Sequence, residues 1–273
     1  MRKIQIILAF LLAIGLCQGC ANTGSVKKLK KTGEITKKTV SVAMKVPPIF
    51  HSNKRFIYLI AWNGIPVGRI VTEVKGIIRY KERDVYEVVL VTESNKFLSK
   101  IYKVEDTYTS YVDVMNMTSR RYEADRKEGN YRKHLVVEYD FDEKQAIYTN
   151  LTDGSVNKYP IKDNVQDPLS AMCYFMTLPV SLGDKIEIIV NLNGKNYDLY
   201  GQVESIDMIK LPEIGSFPAF KIRPYALLKG KEVKKGKGWM YFSADKDRLP
   251  LYGVVRIPFG KVTATLRTVE DIS

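Results

Sequence analysis

QDPLSAMCYFMTLP, residues 166–179, is the one stretch of this sequence that reads as an amphipathic helix in a chain otherwise made of short alternating segments. Asp167 stands where a helix cap belongs, and Pro168 takes the first helical position, where a missing N–H costs nothing. Leu169, Met172, Cys173 and Met176 recur at i, i+3, i+4 and i+7 on one face, and Leu178-Pro179 ends the run. Strand-like sequence lies on both sides. The simplest architecture therefore packs this helix against one sheet drawn from both halves of the chain.

Before the helix, the segments Phe56–Trp62, Gly68–Tyr80, Asp84–Ser94, Phe97–Val104, Thr107–Met115, Arg120–Asp125, Tyr131–Tyr139 and Gln145–Leu151 read as strands. After it come Lys185–Leu192, Tyr197–Met208, Ala219–Leu228, Gly238–Ser243, Leu251–Ile257 and Lys261–Thr268. Asn63-Gly64 and Asn193-Gly194 are hairpin signals, and Glu128-Gly129 and Asp153-Gly154 are further turns. Tyr131, Leu135, Val137 and Tyr139 share a face with Lys133, opposite Arg132, His134 and Glu138. Val262, Ala264 and Leu266 likewise oppose Thr263, Thr265 and Arg267. The expected fold is mainly β: a large curved antiparallel sheet, an incomplete barrel or a sandwich, with one central helix against its concave side. A transmembrane barrel is disfavoured because Glu73, Lys75, Glu87, Lys100, Lys221 and Arg223 interrupt any continuous lipid-facing band.

At 273 residues, with 45% apolar content, 17 Tyr and 10 Phe, the chain suits one substantial core with half-buried sheet surfaces. The net charge of +13 would suggest a polyanion partner if it belonged to the folded body. Arg2, Lys3 and the seven lysines of residues 21–45, set against Glu34, account for eight of those charges and leave +5 for residues 46–273. An ordinary value for the body argues against a nucleic-acid-binding fold.

Residues 1–19 read as a signal peptide: a basic start, an apolar run from Ile4 to Leu16 too short to span a bilayer, then Cys17-Gln18-Gly19-Cys20. That ending resembles the lipobox of bacterial lipoproteins, with Gly19 before the cut and Cys20 as the lipidated residue. Cys17 stands where the pattern usually has Leu, and Leu16 makes Cys17 itself a poor acceptor. An ordinary secretory signal that happens to contain cysteines is the alternative. Each buried methylene contributes about 0.8 kcal/mol, so the two or three acyl chains (palmitate among them) of a lipoprotein cysteine would hold the protein stably on a membrane. Ala21, rather than Asp, after the cysteine implies by resemblance the outer membrane, facing the periplasm. Residues 20–48 form the lipidated cysteine with its Lys-rich tether, and 49–273 a single antiparallel β domain. The tether is either a solvated linker or a patch for an anionic surface.

Two segments resemble the bacterial domain-of-unknown-function family 3108: Gln166-Asp167-Pro168-Leu169-Ser170, and Trp239 to Asp245 followed by Arg248-Leu249-Pro250. Tyr58, Trp62, Gly64 and Gly68, then Leu211-Pro212 before Gly215-Ser216-Phe217, fit the same pattern in order. The resemblance spans residues 55–268 and implies an exported, envelope-associated protein with a curved antiparallel sheet. It implies no activity.

The chemistry-bearing residues are few. The only histidines are His51, at the end of the tether, and His134, on a wet strand face, so no triad or histidine-rich metal site is expected. Cys173 is the one thiol left after processing and reads as a small core residue rather than a nucleophile. Asp245 and Asp247 sit in a turn, where such residues are normal, and Gly236-Lys-Gly238 does not lead into a phosphate-binding helix. The sequence therefore carries no catalytic, cofactor or metal residues as expected sites. The function expected first is a non-catalytic lipoprotein binding an apolar or amphipathic envelope molecule, or a protein partner. An accessory subunit for export or assembly of an envelope polysaccharide comes next, and a hydrolase of envelope polymers last. An apolar, closed cavity would favour the first, a flat aromatic-rich exposed face the second, and two convergent carboxylates about 5 to 9 Å apart the third.

Overall fold

The computed structural model describes residues 46–47, 50, 53–233 and 237–272. The expected signal peptide, Cys20, nearly all of the tether, His51 and Gly236 lie outside the described residues.

Strands β1 (Lys54–Trp62), β2 (Ile65–Tyr80), β3 (Arg83–Ser94), β4 (Glu105–Asp113), β5 (Ser119–Glu128), β6 (Tyr131–Asp140), β7 (Gln145–Asn150) and β8 (Val156–Pro160) make a first antiparallel meander. Helix α1 (Lys96–Ser99) lies between β3 and β4, and helix α2 (Pro168–Thr177) follows β8. A second meander runs β9 (Lys185–Leu192), β10 (Lys195–Leu211), β11 (Gly215–Leu228), β12 (Lys231–Glu232), β13 (Lys237–Ser243), β14 (Pro250–Ile257) and β15 (Gly260–Asp271). β15 pairs with β1 and joins the two meanders into one sheet, ordered β8-β7-β6-β5-β4-β3-β2-β1-β15-β14-β13-β11-β10-β9, with β12 on β11. The sheet is antiparallel, curved, and not closed into a barrel.

Its curvature has local causes. The longest strands, β2 with 16 residues and β10 with 17, each change register partway, between Val74 and Ile77 and between Val203 and Ser205. A bulge bends its strand and increases the twist, which lets so long a sheet curl. Asn63-Gly64 and Asn193-Gly194 form their hairpins with positive φ at all four residues, the geometry those pairs favour. Gly68 is needed for a different reason, because a Cβ there would stand 2.3 Å from the Glu93 carbonyl oxygen of β3. The concave face is dry: Ile60, Val137, Val190, Val262, Ala264 and Leu266 are all buried. The outer face carries ion pairs such as Arg55–Glu73 and Arg121 with Glu123 and Glu138.

The two far ends of the sheet meet without forming a ladder. Tyr148 of β7 donates to Asn191 Oδ1 of β9 at 2.6 Å, and Asn196 of β10 donates to the Pro160 carbonyl of β8 at 2.9 Å. Between them runs the segment before α2. Gln166 N–H donates to the Ile189 carbonyl and Asn191 N–H to the Gln166 carbonyl, both at 2.8 Å, as a parallel bridge. This segment covers the β9 edge, which would otherwise present unpaired backbone groups.

Two expectations are corrected. Residues 97–104 are not a strand: Asn95 caps α1 by accepting from Leu98 N–H at 2.8 Å, and the chain then turns toward β4. Phe97 is 65% and Ile101 72% exposed while Leu98 and Val104 are buried, so the buried positions lie six apart rather than alternating along one strand face. The helix also buries more than the expected face. Ser170, Ala171, Phe175 and Thr177 are buried along with Leu169, Cys173 and Met176, while Met172 is only partly buried. The reason is its position inside the curl, between β4 and β9, where it has protein on several sides. Strands β8 and β12, both short and exposed, had no signal in the alternation.

Candidate functional site

The site is built around α2, which is held at both ends. At its N-terminus Asp167 Oδ1 accepts from Leu169 N–H at 2.6 Å and Ser170 N–H at 2.9 Å, and Ser170 Oγ accepts from Asp167 N–H at 2.8 Å. This is a complete capping box. The other carboxylate oxygen, Oδ2, accepts from the Ser110 hydroxyl of β4 at 2.5 Å. Complete burial pushes the Asp167 pKa upward, while the Ser110 hydroxyl and the two backbone N–H groups pull it back. At the other end, Arg248 Nη1 donates to the Leu178 carbonyl at 2.6 Å, and its guanidinium lies 5.6 Å from the Phe220 ring centroid. The cation thus meets the negative end of the helix. Burial lowers the Arg248 pKa, with Asp245 acting against that.

The turn that presents Arg248 is organised by Asp245. Its Oδ1 accepts from the Ser243 hydroxyl at 2.7 Å and from the N–H groups of Asp247 and Arg248 at 3.0 and 3.1 Å. Ser243 Oγ in turn accepts from Leu249 N–H at 2.8 Å. Tyr58 of β1 donates to the Pro250 carbonyl at 2.9 Å, fixing the strand that follows the turn. The residues quoted above for the family resemblance are therefore brought together in space: one set caps the helix, the other clamps its far end.

Beneath α2 lies an apolar cleft of about 820 Å³, including its open mouth. Leu169, Met172, Cys173 and Met176 form its roof, and Phe56, Ile70, Val88 and Leu90 part of its floor. Met240 and Ala264 line it from the other meander, and Phe50, its ring tilted against Tyr86 at 5.2 Å, lines it near the start of the β domain. A second apolar space of about 440 Å³ adjoins it under the other flank of α2, against Ile186, Ile188, Leu199 and Ile222. Both figures include space open to solvent at the mouth, so the enclosed part of each is smaller. The Tyr58 hydroxyl in the larger space is already engaged with Pro250, and Thr72 and Tyr252 are the other hydroxyl-bearing residues on its wall. Such a lining can hold hydrocarbon and would leave a charged group without a partner.

Cys173 is buried at the roof, and burial pushes its thiol well above the ordinary range, so little thiolate forms near neutrality. His134 lies on the outer face against Glu123, 2.6 Å from its Oε1, and is not brought to Cys173. A polar cluster of buried acids went unread in the sequence. Asp106 and Glu128 are fully buried, Arg126 donates to Glu128, and Tyr102 reaches Glu128 Oε2 at 3.4 Å. Asp106 accepts from Lys127 N–H at 2.7 Å and Tyr108 at 3.2 Å, yet burial pushes its pKa up to about 6. Glu128 next to Gly129 had the look of an exposed turn residue, and nothing local reveals that it turns inward.

The chain shares its fold with a β-barrel-like protein of the domain of unknown function DUF1849 from Brucella abortus. The two are 9% identical, with a TM-score of 0.56 over 81% of this chain and 98% of that one. A protein from Bacteroides fragilis described as exported, with a YmcC-like fold, is 11% identical over 84% of this chain and all of that one, at a TM-score of 0.32. A chain from Parabacteroides distasonis described as a lipoprotein is 10% identical over 81% and 98%, at a TM-score of 0.35. The latter two scores are too low to bear on the fold. No curated protein matches the chain. The profile of the DUF3108 family, proteins of unknown function, matches residues 57–267. That span takes in both meanders, the capped helix and the Arg248 clamp, and the chain belongs to the DUF3108 family.

Proposed function

We propose that this protein is a lipid-anchored lipoprotein of the outer membrane, facing the periplasm, that binds an apolar or amphipathic envelope molecule and catalyses no reaction on it. The apolar cleft under α2 carries the reading, since a wall of aliphatic, aromatic and thioether side chains favours hydrocarbon and gives a reacting group no base or electrophile. The anchor is Cys20, which would keep the cleft beside its source of ligand. Cys20→Ser should release the protein into the soluble fraction and abolish incorporation of labelled palmitate; unchanged pelleting and labelling would sink the anchor. Mass spectrometry of molecules copurifying with the Cys20→Ser protein tests the cleft. A stoichiometric apolar molecule is expected, and its absence from protein made in a native envelope would count against binding.

A second reading, an accessory role in envelope polysaccharide export or assembly, has its own support on the outer face. Tyr200 and Tyr225 stack at 5.1 Å with Lys185 above them, and Trp239 lies between Lys221 and Arg256. Planar rings beside cations suit an acidic glycan. Retention of the protein on an immobilised acidic polysaccharide, lost in Trp239→Ala, would favour it.

A further inference from the structure

The two apolar spaces under α2 are not independent. Met172, from the helix, and Met240, from β13, line both of them and so form the wall between. We propose that the ligand of this cleft is a glycerolipid with two acyl chains, one lying in each chamber, with Met172 and Met240 between the chains. The proposal rests on the reading of the cleft as an apolar-ligand site and narrows it to one chemical class.

Three features favour two chains on a neutral neck over a free fatty acid. The two apolar chambers lie on opposite flanks of Met172, so a single chain in one would leave the other's lining without packing partners. Neither lining contains Lys, Arg or His, so a fatty-acid carboxylate drawn inside would be desolvated without a counter-charge. An esterified chain carries no such charge and leaves its head group at the mouth. The partition itself is soft. Methionine is unbranched, with several rotatable bonds and a polarizable sulfur, so the pair can part around chains of different length or unsaturation. The shared chemistry has two sources: a free membrane glycerolipid, or the diacylglyceryl group expected on Cys20, 30 residues before Phe50 of the cleft wall.

The test uses the mature full-length chain carrying Cys20→Ser, stripped of lipid, with palmitic acid and dipalmitoylphosphatidylglycerol as probes and native mass spectrometry as readout. One phospholipid per protein, and up to two palmitates, are expected. Met172→Trp, which fills the shared wall from the helix side, should weaken phospholipid binding at least about tenfold while leaving room for one palmitate. Met240→Trp fills the same wall from the sheet and gives the same readout if the first variant folds poorly, as judged by its thermal midpoint. Binding of a single palmitate and no phospholipid would overturn the two-chain proposal and leave the apolar-ligand reading standing. Binding of neither probe would bring down both. Comparison with the wild-type lipidated protein then assigns the source. Exclusion of phospholipid from wild type alone identifies the protein's own anchor as the occupant, and equal loading identifies a free lipid.

Discussion

Asp167 serves two structures with one carboxylate. One oxygen holds the first turn of α2, and the other holds Ser110 of β4, so the cap is also a tertiary link. Loss of a cap alone costs about 1 kcal/mol. Asp167→Ala should cost more, about 2–3 kcal/mol, because it also strands a buried hydroxyl and two buried N–H groups; urea unfolding measures this, and a loss under 1 kcal/mol would show that the Ser110 link is unimportant. Asp106 allows a prediction in pH. Its folded pKa of about 6 lies above the unfolded value of 3.8, so the folded form holds the proton more tightly. This group therefore adds stability as pH falls from about 7 to about 4 and withdraws it as pH rises through the same window. Burial acts against Glu138 too, but Tyr80, Lys81 and Arg121 hold its pKa below the ordinary value, so its stabilising contribution is lost on acidification. The difference between wild type and Asp106→Asn isolates the first effect. Denaturation midpoints followed against pH should show the wild type gaining on the variant below pH 6; parallel curves would contradict the shift.

At the scale of the element, α2 is a beam fixed at both ends rather than a lid. Short helices have little stability of their own, so the capping box, the Phe175–Phe242 contact at 4.4 Å and the Arg248 clamp decide whether it persists. Amide protons of residues 169–177 should then exchange as slowly as those of β4 and β9. Arg248→Ala should remove about 1–2 kcal/mol and raise exchange in residues 174–177 more than at 169–171, since it unpairs only the C-terminal carbonyl end. Free exchange throughout the helix in the wild type, with the strands still protected, would make it a gate over the cleft.

For the whole molecule, the seam between β8 and β9 is where the curl is either completed or left loose. Gly194 has φ of +69°, and a Cβ there would lie 2.6 Å from the Tyr159 ring of β8, across the seam. Gly194→Val should therefore destabilise by about 2 kcal/mol or more, through both strain and collision. Pairing it with Tyr159→Ala should recover the collision part, giving a non-additive double mutant. Additive losses would mean the two ends do not pack together in solution.

What the sequence determined by itself was local. Alternation set the faces of the strands, Asn-Gly pairs placed two hairpins, and Asp167-Pro168 with the Leu169, Cys173 and Met176 spacing marked the helix, because each signal acts within a few residues. The charge partition is likewise a matter of sequence alone, and the expected lipidation at Cys20 lies outside the described residues. Only the tertiary structure decided that Arg248 clamps α2, that Met172 and Met240 share a wall, and that Asp106 and Glu128 turn inward. Those depend on register and bulges that bring together positions far apart in the chain, as Tyr58 and Pro250 are at 192 residues' separation. A shift of one residue in any ladder would send those side chains to the opposite face, and no window of sequence around Arg248 contains the helix it holds.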